Sequence, residues 1–111
     1  MAKVRLEHVW KRFGKVVAVK DFNLETEDGE FVVFVGPSGC GKTTTMRMAA
    51  GLEHPTGGQV RVGSEIVTRP GPDRAVVFQQ FALFPWKTVW DNIDFGLKSL
   101  NVDAAERRRR I

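Results

Sequence analysis

Apolar residues along this chain follow three rhythms. Val4 and Leu6, with His8 next in phase, alternate with Arg5 and Glu7, the period-two pattern of a half-buried strand, and KRFGK then turns through Gly14. Residues 16–24, VVAVKDFNL, predict a second strand with a bend at Asp21, and TEDGE closes it; two strands joined by a turn predict an antiparallel pair. FVVFV at 31–35 is continuously apolar, the pattern of a parallel strand covered on both faces. Residues 43–50 suit a helix with Gly51 as its C-terminal cap. Beyond EHPTGG, short strands are predicted at Gln59–Val62 and Glu65–Val67. After the RPGPD loop comes an apolar strand-sized run, Ala75–Phe78. QQFALFPWK is irregular and apolar. Thr88, with Asp91 three positions on, signals an N-cap, and Val89, Ile93, Leu97 and Leu100 share one face of the helix it opens. VDAAERRRRI opens one more helix, and neither a repeat nor a long linker interrupts the 111 residues.

Composition narrows the class. With 42% hydrophobic and 27% charged residues the chain is of ordinary globular type. No apolar run nears the roughly 20 residues that cross a bilayer, and MAKVRLEHVW has no secretory pattern, so a cytoplasmic location is expected, with membrane contact only through a partner. The single Cys40 makes neither an internal disulfide nor a zinc-ligand set. The net charge of +4 resides in Arg107–Arg110, the rest being balanced. Such a run reads as a solvated helix face or tail, with a polyanion contact as the alternative, and direct nucleic-acid binding is not expected.

The chemistry concentrates at GPSGCGKTTT. Gly36, Gly41, Lys42 and Thr43 fit G-x-x-x-x-G-K-[ST] between a strand and a helix. Glycines let the backbone approach an anion closely. The loop from Gly36 through Pro37, Ser38, Gly39, Cys40 and Gly41 then turns its N–H groups, with those of the next helical turn, into a nest for the β-phosphate. Lys42 adds a positive charge to the β- and γ-phosphates, each charged hydrogen bond being worth about 1.5–3 kcal/mol. Thr43 offers a hydroxyl to Mg²⁺ and Thr44 one near the α-phosphate. ATP and Mg²⁺ are therefore the expected cofactors. Cys40 reads as a small side chain facing away from the nucleotide, or as a redox-sensitive thiol beside Lys42.

Around this loop, EFVVFVGPSGCGKTTTMRMAAGLEHPTGGQV, followed at a suitable distance by VVFQQFALFPWKTVWDNIDFGL, resembles the ATP-binding subunit of ABC transporters over nearly the whole chain. Within that family the importer type is the nearest match, the nitrate, sulfonate and taurine branch first and the sugar importers next. The resemblance implies an α/β fold. A phosphate-loop NTPase core would carry an N-terminal antiparallel β subdomain over residues 1–80, with the glutamine loop and the start of a helical subdomain over 79–111. It places Phe13 as the adenine-stacking aromatic, unless that ring only packs under the first hairpin; Trp10, before KRFG, reads as a strand residue. It makes Gln79, by its spacing after VVF, the glutamine that reaches Mg²⁺ and the attacking water, so that Lys42 and Gln79 are the residues nearest the chemistry. Phe81, Leu83, Phe84, Pro85 and Trp86 are apolar in a loop, which marks either a docking surface or a loop filling its own core. In the family this region receives a helix of the membrane permease. A second ATP-binding subunit is the other partner implied.

Against that family the chain is expected to stop inside the first helices of the helical subdomain. It carries no SGGQ signature, the TGGQ at Thr56–Gln59 lying too early, and no apolar run followed by Asp-Glu; His8 and His54 lie too far upstream to be the family's switch histidine. Phosphoryl transfer also needs a second carboxylate and a water-orienting group, so this stretch alone is expected to bind ATP without efficient turnover. It is also expected to be marginally stable and prone to associate. Two readings stand at this point: the nucleotide-binding part of an importer ATPase, or a self-sufficient or decayed module that holds ATP.

Overall fold

The alternation at the N-terminus folds as a hairpin. β1 (Val4–Phe13) and β2 (Val16–Glu25) pair antiparallel across the turn at Gly14. β3 (Gly57–Val62) and β4 (Glu65–Ile66) complete an antiparallel sheet of order β2-β1-β3-β4. The computed structural model describes residues 3–80 and 83–111, and the chain forms two compact units, Met1–Val76 and Val77–Ile111.

The hairpin's register shifts at three places, two of them either side of Val9 and the third between Lys11–Val19 and Arg12–Val17. Leu6 faces Leu24 and Val9 faces Phe22, so β1 carries a surplus residue there; between Val9–Phe22 and Lys11–Val19 the surplus passes to β2. His8 (φ 49°) and Asp21 (φ 41°) absorb the two distortions, and their side chains meet, Nδ1 to Oδ1, at 2.8 Å. The His8 N–H donates to Asn23 Oδ1 at 2.8 Å. The bend expected at Asp21 is thus half of a paired bulge. The other neighbour of β1 accommodates the same surplus: Glu7 faces Gln59 and Trp10 faces Gly57. Between them Gly58, at φ +73°, sits where a Cβ would lie 2.1 Å from the His8 carbonyl oxygen.

Helix α1 (Lys42–Ala50) packs on this sheet. Its Met48 joins Leu6, Val9, Val19, Val60 and Val67 in the core of this unit, each side chain contributing about 1.5–3 kcal/mol on burial. Gly51 ends α1 in the left-handed region, donating its N–H to the Met48 carbonyl at 3.1 Å while the Leu52 N–H reaches the Arg47 carbonyl at 2.9 Å.

FVVFV departs from expectation. Residues 31–35 form no ladder, and Phe31 and Val35 are each 90% exposed. Ala75–Phe78 is likewise unpaired. No parallel strand pair occurs among the described residues. A parallel strand exists only through its neighbours, and none of the described segments takes that place. Phe34 alone anchors the first run, its ring edge-on to Phe22 at 5.9 Å. The remaining apolar surface is of the kind that marks an interaction site or an aggregation liability.

The second unit holds α2 (Val89–Ser99) and α3 (Ala104–Arg110). Both start as their sequences dictate. Thr88 Oγ1 accepts from the Asp91 N–H at 3.0 Å, and Asp103 Oδ1 from the Glu106 N–H at 3.0 Å. Asp94, buried on α2, accepts from Arg107 Nε at 2.5 Å, and Arg107 also reaches the Val102 carbonyl at 2.7 Å. Arg109 and Arg110 bond Glu106 on their own helix. Three of the four terminal arginines are thereby engaged within the unit. Val89, Ile93 and Leu100 of the apolar α2 face are exposed and Leu97 is half-buried. No helix among the described residues is long and apolar enough to cross a membrane.

Two outcomes follow from these contacts. Gly58→Ala forces a Cβ onto backbone, whereas Gly29→Ala, at a similar φ of +75°, meets nothing within 4 Å. Urea unfolding should show Gly29→Ala costing about 1 kcal/mol and Gly58→Ala about 3 kcal/mol or more. Hydrogen bonds from Arg109 and then Arg110 hold the Glu106 carboxyl at about 2, below the usual 4.5. Its contribution to α3 is therefore complete above the usual value and lost as pH falls toward 2. Helical circular dichroism should decline over that window in the native chain and lose this component in Glu106→Gln.

Candidate nucleotide site

The loop between FVVFV and α1 is shaped by two left-handed glycines, of which Gly41 also has backbone where a side chain would go. Gly39 lies at φ +82° and Gly41 at φ +94°, and a Cβ on Gly41 would come within 2.6 Å of the Ala18 carbonyl oxygen of β2. Gly41 thus seats the helix start directly on the sheet. α1 has no side-chain cap and no acidic residue in its first turn. The N–H groups of Lys42, Thr43 and Thr44 have no acceptor within the helix, and the positive end of its dipole faces the loop. Thr88 and Asp103 fill the equivalent positions of α2 and α3.

Side chains complete this arrangement. The Lys42 ammonium donates to the Gly36 carbonyl, closing the loop end to end. The Thr45 hydroxyl donates to the Gly41 carbonyl at 2.8 Å, and its own N–H to the same oxygen at 2.9 Å. Thr45 is buried. Composition alone did not single it out from the TTT run, although the first helical turn places the third threonine over the Gly41 carbonyl. The Thr43 side chain is exposed, so its hydroxyl is available to a cation, and Thr44 is half-buried beside it. Mg²⁺ commonly takes one or two protein oxygens and completes its shell with phosphate and water. A single threonine hydroxyl next to a phosphate nest therefore fits that ion. Cys40 is exposed, and its Sγ lies 2.8 Å from where a Cβ on Gly36 would sit. Its thiol packs across the loop entrance.

A cavity of about 570 Å³ opens beside this loop, lined by Val17, Val19, Phe34, Gly41, Lys42 and Thr45 among others. That volume is in the range of small-molecule sites. Phe13 closes β1 in the same unit, 48% exposed, with the Lys11 ammonium 5.0 Å over its ring. Trp10 lies within β1 against Gly57. Gln79 belongs to the second unit, in an exposed bend.

In that unit Leu83, Pro85 and Trp86 are exposed, and Phe84 is half-buried against Trp86 at 5.3 Å and Phe95 at 4.8 Å. Asn92 straps this loop to α2, accepting from the Phe84 N–H at 2.8 Å. Phe81 lies outside the described residues.

The G-x-x-x-x-G-K-[ST] loop opening onto an uncapped helix is the loop-to-helix half of the phosphate-loop motif. Residues 19–111 match the family model described as ABC transporter, and the chain belongs to the ABC transporter family. An ATP-binding protein of Brucella abortus is 51% identical over 106 residues, covering 96% of this chain and 41% of the relative. The trehalose/maltose import ATP-binding protein of Thermococcus litoralis is 50% identical over 120 aligned positions, covering all of this chain and 32% of the relative. The chain thus spans about a third to two fifths of the curated relatives it matches. Among solved structures, a dimeric ATP-binding cassette in a post-hydrolysis state, bound to ADP and Pi, aligns with a TM-score of 0.80 at 32% identity, covering 96% of this chain and 53% of that one. Nucleotide binding is the property this family has in common.

Because Cys40 is exposed at the loop entrance, alkylating reagents should label it readily. Nucleotide in the loop should slow that labelling in proportion to occupancy, and a rate indifferent to saturating MgATP would mean that nucleotide is held elsewhere.

Proposed function

We propose that this chain is the nucleotide-binding part of an importer ATP-binding subunit. The observation that carries this reading is the loop geometry. Left-handed Gly39 and Gly41 feed a helix whose first N–H groups have neither side-chain cap nor acidic neighbour, and Lys42 bridges the loop ends. The names of the relatives, which include maltose and sn-glycerol-3-phosphate import ATP-binding proteins, support the importer assignment.

In this reading the N–H groups from Gly39 to Thr44 receive the β-phosphate. Lys42 exchanges the Gly36 carbonyl for β- and γ-phosphate oxygens, gaining charge-assisted hydrogen bonds. Thr44 lies toward the α-phosphate, and Pro37, Ser38 and Cys40 shape the loop. Phe13 provides a stacking face for adenine. The Thr43 hydroxyl would hold Mg²⁺, which offsets charge on the phosphates; for Gln79 the metal-reaching role rests on the family resemblance alone. Gln79, with an amide that both donates and accepts, orients water. The exposed Leu83, Pro85 and Trp86, with Phe84 behind them, meet a transmembrane permease, and the subunit resides in the cytoplasm on the membrane's inner face. Hydrolysis and transport belong to the complete subunit, paired with a second copy, where further carboxylates act on the water and metal. This stretch grips the nucleotide.

The test is calorimetric titration of the full-length protein with MgATP. Lys42→Ala removes the equivalent of one charged hydrogen bond, net of the bond to the Gly36 carbonyl given up on binding, at about 1.5–3 kcal/mol, so affinity should fall about 10- to 150-fold. An unaltered affinity would refute the assignment.

A further inference from the structure

Period two along the end of β1 places Val9, Lys11 and Phe13 on one face and Trp10 and Arg12 on the other. Val9 is fully buried in the core with Met48 of α1, so Lys11 and Phe13 continue the helix-facing side. The Arg12 guanidinium lies 5.5 Å over the Trp10 ring on the opposite side. The Lys11 side chain is only 13% exposed. Its ammonium is 2.9 Å from a Glu53 carboxylate oxygen and donates to the His54 carbonyl at 2.8 Å, and it stands 5.0 Å from the Phe13 ring centroid. Two backbone-directed bonds close the same junction: Thr56 N–H to the Trp10 carbonyl at 2.7 Å, and Arg12 N–H to Thr56 Oγ1 at 3.0 Å. The hydrogen bond from Lys11, ahead of the opposing effect of desolvation, holds the Glu53 carboxyl below its usual range.

An ion pair near the surface contributes at most about 1 kcal/mol to folding, so stability alone is a weak reason for a carboxylate, a carbonyl and a ring to converge on one ammonium. Orientation is the stronger one. The two acceptors fix the ammonium, and the ammonium rests on the ring face by cation–π attraction. A cation on one face draws π density toward itself, leaving the opposite face better suited to an electron-rich purine than to a second cation. The helix links this to the phosphate loop. α1 begins at Lys42, and the turn just beyond its end carries Glu53. Nine residues of helix, about 13–14 Å long, separate the loop from the turn that carries the clasp.

We propose that Lys11 is a positioning residue for the nucleotide base: clasped by Glu53 and the His54 carbonyl, it occupies one face of Phe13 and presents the other to the purine. This rests on the reading of Phe13 as the base platform. The experiment compares binding of MgATP and of magnesium tripolyphosphate, which has no base, to the full-length protein and its variants. Phe13→Ala and Lys11→Met should each weaken MgATP about 5- to 10-fold, within the range of lost stacking, and leave tripolyphosphate unchanged. Lys11→Arg, which keeps a cation over the ring, should restore most of the loss, and Glu53→Gln should reproduce part of it in a milder background. If Phe13→Ala weakens MgATP and neither Lys11→Met nor Glu53→Gln does, the positioning role is overturned and the platform stands. Equal weakening of both ligands by Lys11→Met also overturns it, as a general loss of structure. An unchanged MgATP affinity in Phe13→Ala overturns the platform and the proposal together.

Discussion

Both ends of α1 are closed by glycines for which the surrounding backbone leaves no room. At Gly41 a Cβ would strike the Ala18 carbonyl at 2.6 Å, and at Gly51 it would strike the Arg69 carbonyl at 2.4 Å. The helix is consequently seated at its start against β2 and at its end against the segment after β4. That seating puts the uncapped N–H groups at the head of the helix where the glycine loop can wrap them, and it directs Met48 into the core. The cluster of unpaired amides at the head of α1 is a product of close backbone approach, and side-chain chemistry is added to it afterwards.

Around this fixed helix the sheet is adjusted by bulges. His8 and Asp21 each accept an unfavourable positive φ, and the structure compensates with a side-chain contact between them and with Gly58 yielding space on the other flank. The far end of β1, Lys11 to Phe13, stays paired with β2 but runs past the end of the β3 ladder, and is tied by Glu53, His54 and Thr56 to the turn after α1. One short helix therefore sets the place of both the loop and the aromatic ring.

What was legible in the sequence was what local forces decide. The hairpin, the α1 helix with its Gly51 cap, the Thr88 N-cap and the glycine loop all depend on residues a few positions apart, and each is found where the pattern puts it within a residue or two, except that β1 runs on to Phe13 through the first three residues of the expected KRFGK turn. FVVFV differs from its pattern because an apolar run specifies only that its faces be covered, whereas a strand also requires a ladder neighbour, and the described residues supply none. The Asp21 bend was visible, but its partner at His8 was not, since the compensation crosses between strands. The Lys11 clasp was equally hidden: Lys11 and Glu53 are 42 positions apart, and nothing in either's immediate neighbourhood announces the pairing. Roles carried by the second unit, Gln79 and the Leu83–Trp86 loop, were read from resemblance.

The proposed function requires the amides at the head of α1 to grip a triphosphate. Amide hydrogen exchange, read residue by residue with and without magnesium and a non-hydrolysable adenine nucleotide, addresses those groups directly. Marked slowing at Gly39 to Thr44, with little change along β3 and β4, is the expected result. Exchange in the loop that stays the same at saturating nucleotide would contradict it.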